Sequence, residues 1–365
     1  MENKDDSYFP ELKISPEQAE NYALYRDSLL EAVNTSLLNR NDLSQLLGGC
    51  PVETMIINHR NHTDFMATVF RFNDFALLKK TLPWVYRSYH NYGFYYDYFL
   101  VELNAWIDAV KRILPQPVDE ILAVYNWMIE QHEANIVLSK EPAPDVEPED
   151  PHYRPLYAEF TEALLSGNVV KCMSLTNSIV HDTKSMLDFF TSVIQPAMYT
   201  IGARWENGII SVAQEHLASA IVARIISSIM LSNFVTSSTK IGKVVVSAAP
   251  NEFHEIGAWM VALALETEGW DVKYLGVNTP VKDLLEFIRR EQPRLVCLSI
   301  AMVFNLEPAV RIIKTIRQDA SLKDTKILVG GQAFAMNSNL VRIVGADAYA
   351  ANCLEAKLLA KKLVT

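Results

Sequence analysis

The chain has 365 residues, half of them hydrophobic, which is enough to bury two or three separate cores. A formal net charge of -10 with no basic block argues against direct nucleic-acid binding, which needs clustered Lys and Arg. No segment supplies a secretory apolar core or a run long enough to span a bilayer, so the expectation is a cytoplasmic protein without membrane contact, and the four scattered cysteines (Cys50, Cys172, Cys297, Cys353) suit neither a disulfide framework nor a zinc site.

Residues 1–140 show no strand-like alternation, and their aromatic and aliphatic residues recur at helical spacing, which predicts an all-helical domain. Its clearest helices run from Tyr96 to Leu114, stopped by Pro115 and Pro117, and from Asp119 to about Ser139. Residues 141–155 hold five prolines and five acids and are expected to form an extended, solvated linker. Residues 156–236 return to helical periodicity, with breaks near Ser166-Gly167-Asn168 and at Gly208, and predict a four-helix bundle.

After Ser237-Ser238 the pattern changes to short β-branched runs, Val244-Val245-Val246, Leu295-Val296-Cys297-Leu298 and Ile327-Leu328-Val329, separated by amphipathic stretches. That alternation specifies a doubly wound, Rossmann-like α/β domain over residues 240–365, closed by a helix from Leu354 to Leu363 with lysines near its end. The first β run leads into Pro250-Asn251-Glu252-Phe253-His254-Glu255-Ile256-Gly257, an E-x-H-x-x-G pattern at a strand-to-helix turn. This is a place where a loop imidazole can reach a metal lying over the sheet edge. The segments Leu275-Gly276-Val277, Ser299-Ile300-Ala301 and Val329-Gly330-Gly331 follow in the order expected of such a domain.

Together these segments resemble the cobalamin-binding domain of methionine synthase and corrinoid proteins. The resemblance implies that His254 binds cobalt from below, with Glu252 accepting from its other ring nitrogen. Gly257, Gly276, Gly330 and Gly331, beside Leu275 and Ala301, would let the backbone approach the nucleotide tail, and Ser299 would hydrogen-bond a nitrogen of the tail base. Upstream, Trp205 is followed after nine residues by Glu215-His216, a spacing similar to the cap of CarH-type cobalamin photoreceptors. Those proteins also carry Glu two residues before the ligating histidine, where methyl-carrying corrinoid proteins usually carry Asp. This resemblance implies adenosylcobalamin, with Trp205 covering the upper ligand, Glu215 bonding a ribose hydroxyl, and His216 taking the upper cobalt site after photolysis. CarH-type repressors have an N-terminal DNA-binding helix-turn-helix, of which this chain shows no sign.

The helical domain in turn resembles the non-haem globins coupled to cobalamin domains, called photoglobins or photocobilins, which hold a linear tetrapyrrole. In many haem-binding globins a proximal histidine stands about four residues before a corner glycine of this kind. Here Tyr89 has that spacing to Gly93, and His90 is one residue out of register, a rotation of about 100° on a helix. Biliverdin or another bilin would find cations in Arg87 and His90 and an acid in Asp97, with further polar candidates in Asn58-His59-Arg60-Asn61-His62-Thr63-Asp64 and Arg71, and Cys50 as the domain's one thiol. The expectation is a non-enzymatic light sensor that responds to green or shorter wavelengths through adenosylcobalamin and to red light through the bilin. It would signal by self-association or through a partner protein. A corrinoid protein carrying a methyl group for a methyltransferase system is the alternative. A haem gas sensor would need His62 or His90 on iron.

Overall fold

The computed structural model describes residues 12–231, 241–337 and 339–364, so the predicted change of pattern at Ser237-Ser238 lies outside the described residues. The chain divides into two compact units, residues 1–142 and 143–365, with the boundary inside the proline-rich segment.

Every described element of the first unit is helical: α1 (Pro16–Leu38), α2 (Leu43–Leu46), α3 (Val52–Phe72), α4 (Phe75–Asn91), α5 (Asp97–Ile113), α6 (Asp119–Glu130) and α7 (His132–Ser139). Local chemistry sets several of these boundaries. The Asp74 carboxylate caps α4 by accepting from the Leu77 N–H at 3.0 Å. The corner between α4 and α5 turns at Gly93, whose φ of 119° suits glycine. The predicted helix from Asp119 to Ser139 is in fact two, because the chain bends at Gln131. No proline or glycine marks that bend. It has a tertiary cause: α6 packs on α5 while α7 packs on α4, with Tyr86 bonded to the buried His132 at 2.9 Å.

The second unit opens with four helical rods. They are α8 (Arg154–Leu165), α9 (Val169–Ile179), a third rod made of α10 (Thr183–Phe189) and α11 (Gln195–Glu206) joined by a π turn at Phe190–Ile194, and α12 (Val212–Leu231). The breaks follow the sequence. Gly167 and Gly208 have φ of 67° and 69°, and Asn168 caps α9 by accepting from Lys171 N–H at 3.0 Å. The predicted linker is irregular only to Asp150, since a helical turn at Pro151–Tyr153 runs into α8, and the irregular part is tied down. Ala143 exchanges two 2.8 Å hydrogen bonds with the Asn207 amide, and Val146 N–H donates to Thr200 at 2.8 Å.

The rest of the unit alternates strand and helix: β1 (Gly242–Ala248), α13 (Ile256–Glu268), β2 (Trp270–Tyr274), α14 (Val281–Glu291), β3 (Leu295–Ser299), α15 (Leu306–Gln318), β4 (Lys326–Gly330), α16 (Gln332–Ala335), α17 (Asn339–Val344), β5 (Ala348–Ala350) and α18 (Cys353–Val364). The five strands are parallel in the order β2-β1-β3-β4-β5, the doubly wound arrangement predicted. Val244, Val246, Leu295, Cys297 and Leu328 share a core with Ala258, Ala262 and Leu265 of α13 and with Ala356 and Ala360 of α18. Their neighbours Val245, Val296 and Ile327 point to the other face and are equally buried. The bundle is fused to this domain by one continuous core, in which Ile221, Val222, Ile225 and Ile226 of α12 join Met260, Leu263 and Ala264 of α13 and Cys353 of α18.

Candidate functional site at the carboxyl ends of the strands

In a 2-1-3-4-5 sheet the chain leaves β1 and β3 in opposite directions, which opens a crevice outside their carboxyl ends. The loops after β1, β2, β3 and β4 carry the segments singled out in the sequence. After β1 the loop turns at Asn251, whose φ of 64° is left-handed and whose N–H donates to the Asn278 side chain at 3.0 Å. Asn278 N–H donates back to the Glu252 carbonyl at 3.2 Å, so the β1 and β2 loops brace one another.

Glu252 is the hub of the site and is 1% exposed. Its Oε1 accepts from the Phe253 and His254 N–H groups at 3.1 and 3.2 Å and from His254 Nδ1. Its Oε2 accepts from the Ala301 and Met302 N–H groups at 2.9 and 3.0 Å and from the Asn305 amide at 3.1 Å. The carboxylate therefore clamps the β1 loop to the β3 loop and fixes the tautomer of His254 in the same act. Burial alone would push the Glu252 carboxyl up, but the hydrogen bond and charge of His254, with the Met302 N–H and the Asn305 amide, hold it below the usual range. Burial likewise opposes charge on His254, yet the Glu252 carboxylate raises that imidazole, with a smaller contribution from the charge of Glu215. The His254 side chain is 61% exposed, and with Nδ1 committed to Glu252, Nε2 is the nitrogen available to a metal.

Gly276 and Gly331 lie in the loops that follow the strands, and Gly330 at the end of β4. Gly276 has a φ of 73° and open space where a Cβ would stand, and Gly257 lies beside Ser299, whose Oγ is 3.9 Å from such an atom. Gly331 is demanded by the fold itself. Its φ of 96° and ψ of 166° belong to glycine, and a Cβ there would lie 2.2 Å from the Ile300 carbonyl oxygen. Gly330 sits at the end of β4, where it accepts from Ile300 N–H at 2.9 Å and ties β4 to the β3 loop. Leu275 N–H bonds Val246 at 2.9 Å and continues the β1–β2 ladder.

From the bundle, the charge of Glu215 reaches His254. Trp205 lies half-buried in the last turn of α11, and Glu215 and His216 occupy the first turns of α12. Glu215 Oε2 bonds His216 Nδ1 at 2.5 Å, its Oε1 accepts from Ser219 at 2.7 Å, and its charge reaches His254. His216 is exposed. The donor set suits a cobalt corrin: an accessible imidazole backed by a buried carboxylate, apolar Phe253 exposed beside it, and a second histidine bonded to the Glu215 whose charge reaches the first. Asn305, Met302 and Asn278 escaped the sequence reading because no motif spacing marks them, and only the fold brings them to Glu252.

In the first unit Arg87, His90 and Asp97 lie around the α4–α5 corner. Arg87 Nε donates to the Ser139 carbonyl at 3.2 Å, and His90 bonds the Phe94 carbonyl at 2.9 Å and stacks on Tyr96 at 3.9 Å. Asp97 is close enough for its charge to act on His132. The Asn58–Asp64 stretch is split by the helix. Asn58 and His59 are buried, His62 bonds Tyr125 at 3.2 Å, and Asp64 faces Arg26 at 3.7 Å. The Cys50 thiol donates to the Tyr92 carbonyl. Among the described residues, no group of three or more His, Cys, Asp or Glu is placed to hold a metal ion between them, and no helix is long and apolar enough to cross a membrane.

Comparison with known proteins agrees with the second unit. Residues 242–357 match the family model of a B12 binding domain, and residues 156–229 match a second model of that description. The dimethylamine corrinoid protein of Methanosarcina barkeri is 26% identical over 209 residues, covering 55% of this chain and 95% of that protein. The HTH-type transcriptional repressor CarH of Myxococcus xanthus is 34% identical over 148 residues, 40% of this chain and 48% of that protein. In fold, the monomethylamine corrinoid protein of Methanosarcina barkeri superposes with a TM-score of 0.50 at 19% identity, over 58% of this chain and 99% of that one. Residues 156–229 and 242–357 are therefore B12-binding domains, and the chain is homologous to corrinoid proteins and to CarH.

Proposed function

We propose that the chain is a light sensor that holds adenosylcobalamin between its helical cap and the strand ends. The observation that carries this reading is the Glu215-His216 pair, which stands on the cap wall with its acid close enough to act on His254. His254 would hold cobalt from below through Nε2, Glu252 would keep that imidazole oriented, Trp205 would cover the upper ligand, and Glu215 would turn from Ser219 toward a ribose hydroxyl. Adenosylcobalamin supplies a cobalt–carbon bond that light cleaves. The exposed His216, at the start of α12, would be the second imidazole of the chain available to hold cobalt. The signal would leave through self-association or a partner protein, with no catalytic turnover by the chain itself.

The first unit would be a globin-like domain holding biliverdin or a related bilin, which adds a response to red light. Support comes from Arg87, His90 and Asp97 around one corner, and from the buried Asn135 amide on α7, whose Nδ2 has no partner among the described residues. A second reading, a corrinoid protein serving a methyltransferase system, is favoured by the dimethylamine corrinoid relative, which aligns over 95% of its own length.

Spectra of the protein loaded with adenosylcobalamin and biliverdin, taken in darkness and after green and then red illumination, separate the readings. A green-driven change of the corrin bands that loses its final bis-imidazole form in His216→Ala supports the sensor, and a red-driven change of a long-wavelength band supports the bilin. Spectra stable under both lights point to the methyl carrier. Either reading predicts a pH dependence of the lower ligand. Cobalt must displace the proton of an imidazole whose pKa is raised, so coordination by His254 should weaken as pH falls through that raised value, earlier than for an unperturbed histidine. A pH titration of the bound corrin's visible bands checks it.

A further inference from the structure

The interior of the helical unit holds a polar group that the cofactor readings leave unused. Where α3 faces α5, Asn58, His59, Tyr98, Glu102 and Trp106 are all buried. Glu102, 4% exposed, receives two long hydrogen bonds from neutral donors, Asn58 Nδ2 and Trp106 Nε1, each at 3.3 Å. Among the described residues its one partner within ion-pair range is His59, 3.9 Å away. That histidine is already satisfied as a neutral ring. Nδ1 donates to Asn34 Oδ1 at 2.6 Å, and Nε2 accepts from the Tyr98 hydroxyl at 2.9 Å. A carboxylate at Glu102 would thus be a buried anion without a counter-charge, which proteins avoid by keeping the proton.

Among the described residues, the remaining groups that face Glu102 offer no cation. They are Tyr22 of α1, Tyr86 and Tyr89 of α4, Tyr98 of α5 and Tyr125 of α6, all phenols kept neutral by burial. His62 of α3, stacked on Trp106 at 4.9 Å, is pushed down to about 3 by burial, as is His59. The nearby Arg26 is engaged with Asp64 at 3.7 Å. Burial pushes the Glu102 carboxyl up to about 7.

We propose that Glu102 is a proton-operated switch of the helical unit, its carboxyl protonated while α5 is seated against α1 and α6, and loss of that proton loosening the seat. The sign follows from linkage. The closed state keeps the proton up to about pH 7, whereas an opened state that exposes Glu102 releases it near its ordinary value of 4.5. Between those values the opened state binds fewer protons, so opening becomes easier as pH rises and levels off above about 7. The helical unit would then report proton concentration between about pH 4.5 and 7, whatever cofactor the second unit carries.

Hydrogen exchange of the α5 amides in the full chain tests the switch. After correction for intrinsic exchange, the opening constant should rise about tenfold per pH unit between pH 5 and 7 in the wild type and stay flat in Glu102→Gln. A flat wild-type profile, or the same slope in the variant, overturns the proposal. Should the variant fail to fold, infrared spectra of the wild type decide. A buried protonated carboxyl band that persists at pH 6 and disappears as pH rises through 7 supports the switch, and the absence of any protonated carboxyl band at pH 6 sinks it.

Discussion

Glu252→Leu is expected to destabilise the second unit by about 3–5 kcal/mol, because it leaves the Ala301 and Met302 N–H groups and the Asn305 amide facing apolar atoms, at about 1–3 kcal/mol for each buried unpaired donor. Thermal melting should fall by on the order of 10 °C for a unit of this size. Cobalamin binding should also weaken by about 10–100-fold, the usual effect of removing the group that orients a metal-ligating histidine. Glu252→Asp separates the two roles. One methylene shorter, the carboxylate reaches either His254 or the β3 loop but not both, so either stability or the spectrum of the bound corrin should move while the other changes little. A variant with leucine at Glu252 that melts like the wild type and binds cobalamin equally well would remove Glu252 from the centre of the site.

Gly331→Ala is expected to cost about 2–6 kcal/mol, combining backbone strain with overpacking. The φ of 96° with ψ of 166° is closed to alanine, and its Cβ would lie 2.2 Å from the Ile300 carbonyl oxygen, so β3 and β4 must separate at their carboxyl ends to admit it. That separation displaces Ala301 and Met302, two of the anchors of Glu252, and so should weaken cobalamin binding along with stability. Gly276→Ala is the control. Its φ of 73° strains alanine, but no atom lies within 4 Å of the added carbon, so the expected loss is smaller. Chemical denaturation of the three proteins side by side, with cobalamin titration, gives the ranking.

The site was legible as far as it rests on local pattern. Glu252, His254 and Gly257 could be read together because a strand-to-helix turn places neighbours in sequence around one crevice, and the structure sets the Glu252 carboxylate on His254 Nδ1. Gly331 was marked as a glycine that approaches the nucleotide tail, whereas its conformation and its contact with Ile300 require glycine before any ligand is considered. Asn305 was invisible, since its amide reaches Glu252 across 53 residues of sequence. In the helical unit the single predicted helix from Asp119 to Ser139 bends at Gln131, where propensity has nothing to say and packing against two different helices decides. Arg87, His90 and Asp97 drew attention by their charge, while the unpaired carboxyl, Glu102, lay unnoticed on the buried face of α5.

Periodicity by itself determined that a helical domain precedes a bundle and a parallel α/β domain, because apolar spacing of 3.6 or continuous β-branched runs leave few ways to bury those side chains. The motif at Glu252-Phe253-His254 likewise announced an imidazole at the sheet edge. What only the tertiary structure decided is electrostatic. A carboxylate is stable in the interior when donors from distant loops converge on it, as they do at Glu252, and holds its proton when they do not, as at Glu102. Desolvation and hydrogen bonding depend on what surrounds a side chain in space, and a sequence states only what precedes and follows it.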